Sequence, residues 1–122
     1  MLPNYSKEDI MKMDMGLAGK TALITGGAAG SGNITAEYFL KQGASVVLAD
    51  LNPEVDRIAE SMGKDRAKGI AGNICDGAYR KRVVEEGAAA FGQIDILVNC
   101  AGIVALESAE ILSEEYWSRT ID

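Results

Sequence analysis

Glycines at positions 26, 27, 30 and 32 follow directly on a short apolar run, Ala22, Leu23 and Ile24, within Lys-Thr-Ala-Leu-Ile-Thr-Gly-Gly-Ala-Ala-Gly-Ser-Gly from Lys20 to Gly32. Residues of this type at this spacing can hold a phosphate. Glycines let the backbone turn sharply and come close to an anion, and the helix that begins behind them offers unpaired N–H groups and a positive dipole end. The plain alternative is a glycine-rich turn with no ligand. Asp50 closes a second apolar run, Ser45 to Ala49. A carboxylate at that point can accept hydrogen bonds from both hydroxyls of an adenosine ribose and repels a 2′-phosphate, which favours NAD over NADP. Its alternative is a turn residue ahead of Asn52 and Pro53. Ala28, Ala29 and Ser31 place no Arg, Lys or His in the loop to neutralise an additional phosphate.

The chain has 122 residues, one domain or part of one, and is short for a complete α/β enzyme. Apolar residues at 48% and charged residues at 25% mark a folded globular chain. The net charge of −6 comes with no basic cluster, so the footprint of a nucleic-acid binder is missing. No apolar run approaches the roughly 20 residues of a membrane span, and the first residues lack the apolar block of a signal peptide. A cytoplasmic protein with no membrane partner is expected. Cys75 and Cys100 are then expected as reduced thiols rather than a bridge. With no His and no paired Cys spacing, a metal site has no ligands to build on.

The elements that must carry these residues alternate along the chain. Residues 1–16 form an extension in which Ser6-x-x-Asp9 could cap a short helix bearing Ile10, Met11 and Met13, a mobile segment being the alternative. Thr21 to Thr25 reads as a strand buried on both faces. Ile34, Tyr38, Phe39 and Leu40 then recur at helical spacing until Gly43 supplies a left-handed stop. Ser45 to Ala49 is a second strand, Pro53 opens a helix through Val55, Ile58, Ala59 and Met62 to Gly63, and Ala67 to Ala71 is a third strand. Asp76 is an N-cap for a long helix through Val83, Val84, Ala88 and Phe91, with Gly87 inside it at a cost of about 1 kcal/mol. Ile94 to Val98 is a fourth strand, and a polar stretch leads to a last helix starting at Ser113.

Strands and helices alternating over such short connections predict right-handed βαβ units, hence an α/β, Rossmann-like, doubly wound parallel sheet of strand order 3-2-1-4. Ligands in such sheets lie beyond the carboxyl ends of the strands. The glycine loop, Asp50, Asn73 and Asn99 each follow one of the four strands, so four separate features meet on one rim. The cofactor-binding set expected there is Gly26, Ala29, Gly30, Ser31 and Gly32, with Asp50 and Leu51, Asn73 and Ile74, and Asn99, Ala101 and Gly102.

Thr25-Gly-Gly-Ala-Ala-Gly30-Ser-Gly32 resembles the Thr-Gly-x-x-x-Gly-x-Gly loop of the short-chain dehydrogenases/reductases, and Asn99-Cys-Ala-Gly102 is similar to their Asn-Asn-Ala-Gly signature. The approach through Phe91-Gly92-x-Ile94-Asp95-Ile-Leu-Val and the Trp117 beyond it also look like that family, so the resemblance covers residues 17–122. It implies hydride transfer between a nicotinamide and a small alcohol or ketone, in a protein that forms homo-oligomers. It further implies Gly26, Gly30 and Gly32 at the pyrophosphate, Asp50 at the adenosine ribose, and Asn99 with Gly102 near the nicotinamide-side ribose. Three positions depart from the pattern. Ser31 stands where the family usually has Ile, Asn73 replaces an Asp whose acceptor meets the adenine amino group, and Cys100 replaces the second Asn of the signature.

The resemblance also implies a catalytic Asn, a Ser and a Tyr-x-x-x-Lys pair, in which the Tyr moves the proton and the Lys lowers its pKa. These positions fall beyond Asp122, and none of Tyr5, Tyr38, Tyr79 or Tyr116 has a Lys four residues on. No catalytic residue is therefore assigned. The expectation is that residues 17–122 are the cofactor-binding half of an NAD(P)-dependent dehydrogenase or reductase, truncated after the fourth strand and inactive alone. A non-catalytic dinucleotide-binding or regulatory module is the alternative. A methyltransferase normally carries an acidic residue just before its glycines, where this chain has Thr25. A P-loop nucleotidase is excluded because no Gly-Lys-Ser/Thr follows the loop.

Overall fold

Every residue of the first apolar run is buried, and the reason is its place in the sheet. The computed structural model describes residues 4–63, 65–103 and 111–121. It holds four parallel strands, β1 (Thr21–Thr25), β2 (Ser45–Asp50), β3 (Ala67–Ala71) and β4 (Ile96–Asn99), in the order β3-β2-β1-β4. The predicted order is thus the one found, and β1 has a neighbour on each side. The connection through 104–110, most of the polar stretch ahead of Ser113, lies outside the described residues, as do residues 1–3 and Asp122.

Alternation along β1 and β2 divides the core in two. Ala22, Ile24, Val46 and Leu48 face α2 (Gly30–Lys41) and α3 (Val55–Gly63), where Ala36, Leu40, Val55 and Ala59 close the layer. Leu23, Val47 and Ala49 face α4 (Gly77–Phe91), against Tyr79 and Val83. Helices on both faces are what a sheet of continuous apolar strands requires. At the start of the sheet, the Asp95 carboxylate accepts the Thr21 N–H at 2.9 Å and the Asp95 N–H donates to the Thr21 carbonyl at 2.9 Å, fixing β4 beside β1.

Three sequence expectations change in detail. The inner face of α2 is Gly32, Ala36 and Leu40, while Ile34 is 55% exposed. Small residues at i, i+4 spacing let this helix lie close to the strands, and a search for large apolar residues overlooks them. Val84 is likewise exposed, its place on α4 taken by Tyr79 and Val83. β4 begins at Ile96 rather than Ile94, with Ile96 and Val98 packed on the α2 and α3 core and Leu97 exposed on the other face. Gly87 is explained by contact: a Cβ there would stand 3.0 Å from Val47 Cγ2 and 3.2 Å from Ile94 Cδ1.

α3 begins at Val55, two residues past Pro53, while the other caps behave as read. The Asp76 carboxylate accepts the Ala78 N–H at 3.0 Å, and Gly43 turns at φ 86°. In the extension, α1 (Lys7–Lys12) starts with a reciprocal cap: Ser6 Oγ accepts the Asp9 N–H and Asp9 Oδ2 accepts the Ser6 N–H, both at 3.0 Å. The last helix, α5 (Glu114–Ile121), follows Ser113, whose Oγ accepts the Tyr116 N–H at 3.2 Å. No helix among the described residues is long and apolar enough to cross a membrane.

Tyr79 is 5% exposed and its hydroxyl donates to the Ile70 carbonyl on the outer strand β3. Burial pushes this phenol above the usual tyrosine range, with the Arg82 cation opposing the shift. A folded-state pKa above the unfolded one means that the neutral form stabilises the fold. That stabilisation is fully present below pH about 10 and is lost as pH rises beyond it. Tyr79→Phe is expected to lower stability near neutrality by about 0.5–1.5 kcal/mol, the net worth of one hydrogen bond. It is also expected to flatten the alkaline fall in stability. Denaturant melts of both proteins across that range check this, and an unchanged alkaline slope would contradict it.

Candidate functional site

The glycine loop leaves β1 through two residues in the left-handed region, Gly26 at φ 69° and Gly30 at φ 59°, which favour glycine by their backbone alone. Gly26 has a second constraint. A Cβ there would stand 2.8 Å from the Ala101 N and 2.9 Å from the Ala101 Cα, so this glycine allows the exit of β4 to lie against the loop. Gly32 is buried in the first turn of α2, and a Cβ on it would overlap the Gly26 carbonyl oxygen. Its role in the fold is close packing beneath the loop. Gly30 faces open space, and Ala29, Gly30 and Ser31 are exposed. Ala29 is the N-cap of α2 and makes no side-chain capping bond, and the first turn carries no acidic residue. The helix N-terminus thus presents its N–H groups outward in a cradle suited to an anion.

Hydrogen bonds join the four strand exits into one continuous rim. The Thr25 hydroxyl accepts the N–H groups of Cys100 and Ala101, each at 3.2 Å, tying the end of β1 to the end of β4. The Gly26 N–H donates to the Ala49 carbonyl at 2.8 Å, tying the loop to β2. The Ala28 N–H donates to Asp50 Oδ2 at 3.0 Å, and the Gly72 N–H donates to the Asp50 carbonyl at 2.9 Å, which brings in the end of β3. From below, Asn33 Nδ2 donates to the Gly27 carbonyl at 3.2 Å.

The expected site residues fall along this rim with different roles. Asp50 is half-buried and also caps the turn after β2, where its Oδ1 accepts the Asn52 N–H at 2.9 Å. The turn-residue reading and the rim-carboxylate reading therefore describe the same side chain. Leu51, next along, is 71% exposed. Asn73 is exposed, and its Oδ1 accepts the Cys75 N–H at 3.0 Å. Ile74 turns back onto the α4 side of the core. Asn99 ends β4, and Ala101 and Gly102 are exposed beyond it. Thr25 and Asn33 were not among the residues singled out as site residues. A Thr at a strand end and an Asn in a helix's first turn carry no local signal that their side chains bind a loop from a neighbouring element. Among the described residues no group of three or more His, Cys, Asp or Glu is placed to hold a metal ion.

Comparison with known proteins agrees with this geometry. The sequence profile of a family described as short chain dehydrogenase matches residues 20–122. The chain is 38% identical over 109 residues to an NAD-dependent glycerol dehydrogenase of Listeria innocua serovar 6a, covering 89% of this chain and 43% of that protein. It is 39% identical over 119 residues to a D-threitol dehydrogenase of Mycolicibacterium smegmatis, covering 95% of this chain and 46% of that protein. Among solved structures, a 3-ketoacyl-(acyl-carrier-protein) reductase from Brucella melitensis complexed with NADH superposes with a TM-score of 0.81 at 39% identity, over 86% of this chain and 44% of that one. The chain thus spans somewhat under half the length of these relatives. A parallel sheet of order 3-2-1-4, a glycine cradle against the β4 exit and this profile match together establish that the chain belongs to the short-chain dehydrogenase family.

Proposed function

We propose that residues 17–122 are the NAD-binding half of an alcohol dehydrogenase or ketone reductase, with residues 1–16 as an extension of it. The observation that carries this reading is the glycine cradle: side chains at Gly26 or Gly32 would collide with backbone, and the outward face at Ala29, Gly30 and Ser31 is open. The bound dinucleotide would supply the chemistry by giving or taking a hydride. This chain's own residues would do the holding. Gly26, Gly30 and Gly32 shape the loop at the pyrophosphate, and Ala29 and Ser31 line it. Asp50 and Leu51 meet the adenosine ribose, Asn73 and Ile74 the adenine, and Asn99, Ala101 and Gly102 the nicotinamide-side ribose. The dehydrogenase names of the relatives support a small alcohol or ketone as substrate of the whole protein.

The half-buried Asp50 carboxylate and the uncharged loop favour NAD over NADP. Titration of the protein with the two dinucleotides is expected to show tighter binding of NAD. Asp50→Ala is expected to narrow the preference by about 1 to 3 kcal/mol, the range for losing a charge-assisted hydrogen bond. Equal or tighter binding of NADP by the unaltered protein would overturn the assignment. The same reading places the protein in the cytoplasm and takes it as a homo-oligomer.

A further inference from the structure

The Asp50 carboxylate does more than face the rim. An ionised carboxylate has about four acceptor positions, two on each oxygen. One on Oδ2 is filled by the Ala28 N–H at 3.0 Å and one on Oδ1 by the Asn52 N–H at 2.9 Å. That leaves one on each oxygen for a ligand's paired hydroxyls. The Ala28 bond spans 22 residues of sequence and is made in a partly buried setting, where a charge-assisted bond is worth more than at the surface. The loop it holds is unfavourable to hold otherwise. It runs between two left-handed glycines, Gly26 and Gly30. Its start is held by the Gly26 N–H on the Ala49 carbonyl at 2.8 Å, but past that point its other side-chain tether is Asn33 on the Gly27 carbonyl at 3.2 Å, and the Gly27 N–H reaches the Ala49 carbonyl only at 3.4 Å.

We propose that Asp50 is a positioning residue for the glycine loop as well as a ribose contact, so that one side chain sets both cofactor choice and the loop conformation that receives the pyrophosphate. The proposal rests on the dinucleotide reading above and deepens it. Its consequence is that this carboxylate cannot be exchanged to alter cofactor preference without also loosening the phosphate cradle. Asn at position 50 keeps one acceptor oxygen and can satisfy only one of the two N–H groups, so it holds the loop partially.

Two measurements on the full chain separate this from a ribose contact alone. The first is amide hydrogen exchange without nucleotide. Asp50→Ala is expected to speed exchange at Ala28 by about tenfold, in line with losing one charge-assisted bond, and Asp50→Asn to fall between it and the unaltered protein. The second is the affinity for an NAD analogue whose adenosine ribose lacks its 2′ and 3′ hydroxyls. It offers Asp50 nothing to contact, yet Asp50→Ala is expected to weaken it about fivefold to tenfold. If the analogue binds both proteins equally while NAD binding falls, Asp50 reads the ribose only and the proposal is overturned. Unchanged Ala28 exchange overturns it whatever the nucleotides do. If the unaltered protein binds neither nucleotide but Ala28 protection still depends on Asp50, the dinucleotide reading fails and the tether stands. Should Asp50→Ala not fold, the graded response of Asp50→Asn on both readouts decides.

Discussion

Gly32→Val is expected to abolish measurable NAD binding, a loss of about a hundredfold or more, equivalent to at least ~2.7 kcal/mol. A Cβ at this position would overlap the Gly26 carbonyl oxygen and stand 2.8 Å from the Gly26 carbonyl carbon and 3.2 Å from the Gly27 Cα. All three atoms belong to backbone, and backbone cannot swing away as a side-chain tip does. Either the first turn of α2 moves off β1 or the loop is driven outward, and in both cases the outward-facing N–H groups at the start of α2 lose their register. Overpacking of this kind also costs about 1–3 kcal/mol of stability, which lowers the melting temperature without removing the domain. Gly63→Ala is the matched control, because nothing lies within 4 Å of a Cβ there. It is expected to change stability by less than about 0.5 kcal/mol and NAD affinity not at all. Calorimetric titration of the three proteins checks the contrast. Unchanged affinity in Gly32→Val would mean that the cradle is only a structural turn.

The second large effect is the absence of turnover: the 122-residue chain is expected to form no NADH from any alcohol. Oxidising an alcohol requires a group that takes the hydroxyl proton, and in this family's pattern a Tyr does so with a Lys lowering its pKa. Tyr5 is exposed in the extension ahead of α1, and the other three tyrosines are engaged elsewhere. Tyr79 is buried, donates to the Ile70 carbonyl, and has its pKa raised by burial rather than lowered. Tyr38 lies in the C-terminal part of α2, away from the rim, with the Lys7 and Lys41 ammonium groups 5.9 and 5.7 Å from its ring centroid. Tyr116 sits on α5 beside Arg119. An alcohol panel assayed at saturating NAD is the check. Turnover above the uncatalysed rate would show that a proton acceptor has been overlooked in this chain.

The fold was legible because its signals are local and repeated. Continuous apolar runs at Thr21–Thr25 and Ser45–Asp50 announce strands covered on both faces, and Asp76 and Gly43 mark where helices start and stop. Small residues used for close approach were less legible. Gly32 and Ala36 form the inner face of α2, yet they carry little apolar area, and Ile34 draws the eye while lying exposed. The candidate site was legible as a set of strand exits, since β1, β2 and β4 finish in Thr25, Asp50 and Asn99 and β3 is followed by Gly72 and Asn73. What holds those ends together was not. Thr25 to Cys100 and Ala101, and Asp50 to Ala28, are long-range side-chain to backbone bonds, and their backbone partners leave no mark in residue type.

The central claim, that this rim is a dinucleotide site selective for NAD, is tested most directly by titrating the chain with NAD, NADP and S-adenosylmethionine in the same calorimeter. NAD is expected to bind at one site per chain and more tightly than NADP, with no heat from S-adenosylmethionine. Failure to bind NAD, or tighter binding of either competitor, would contradict the claim.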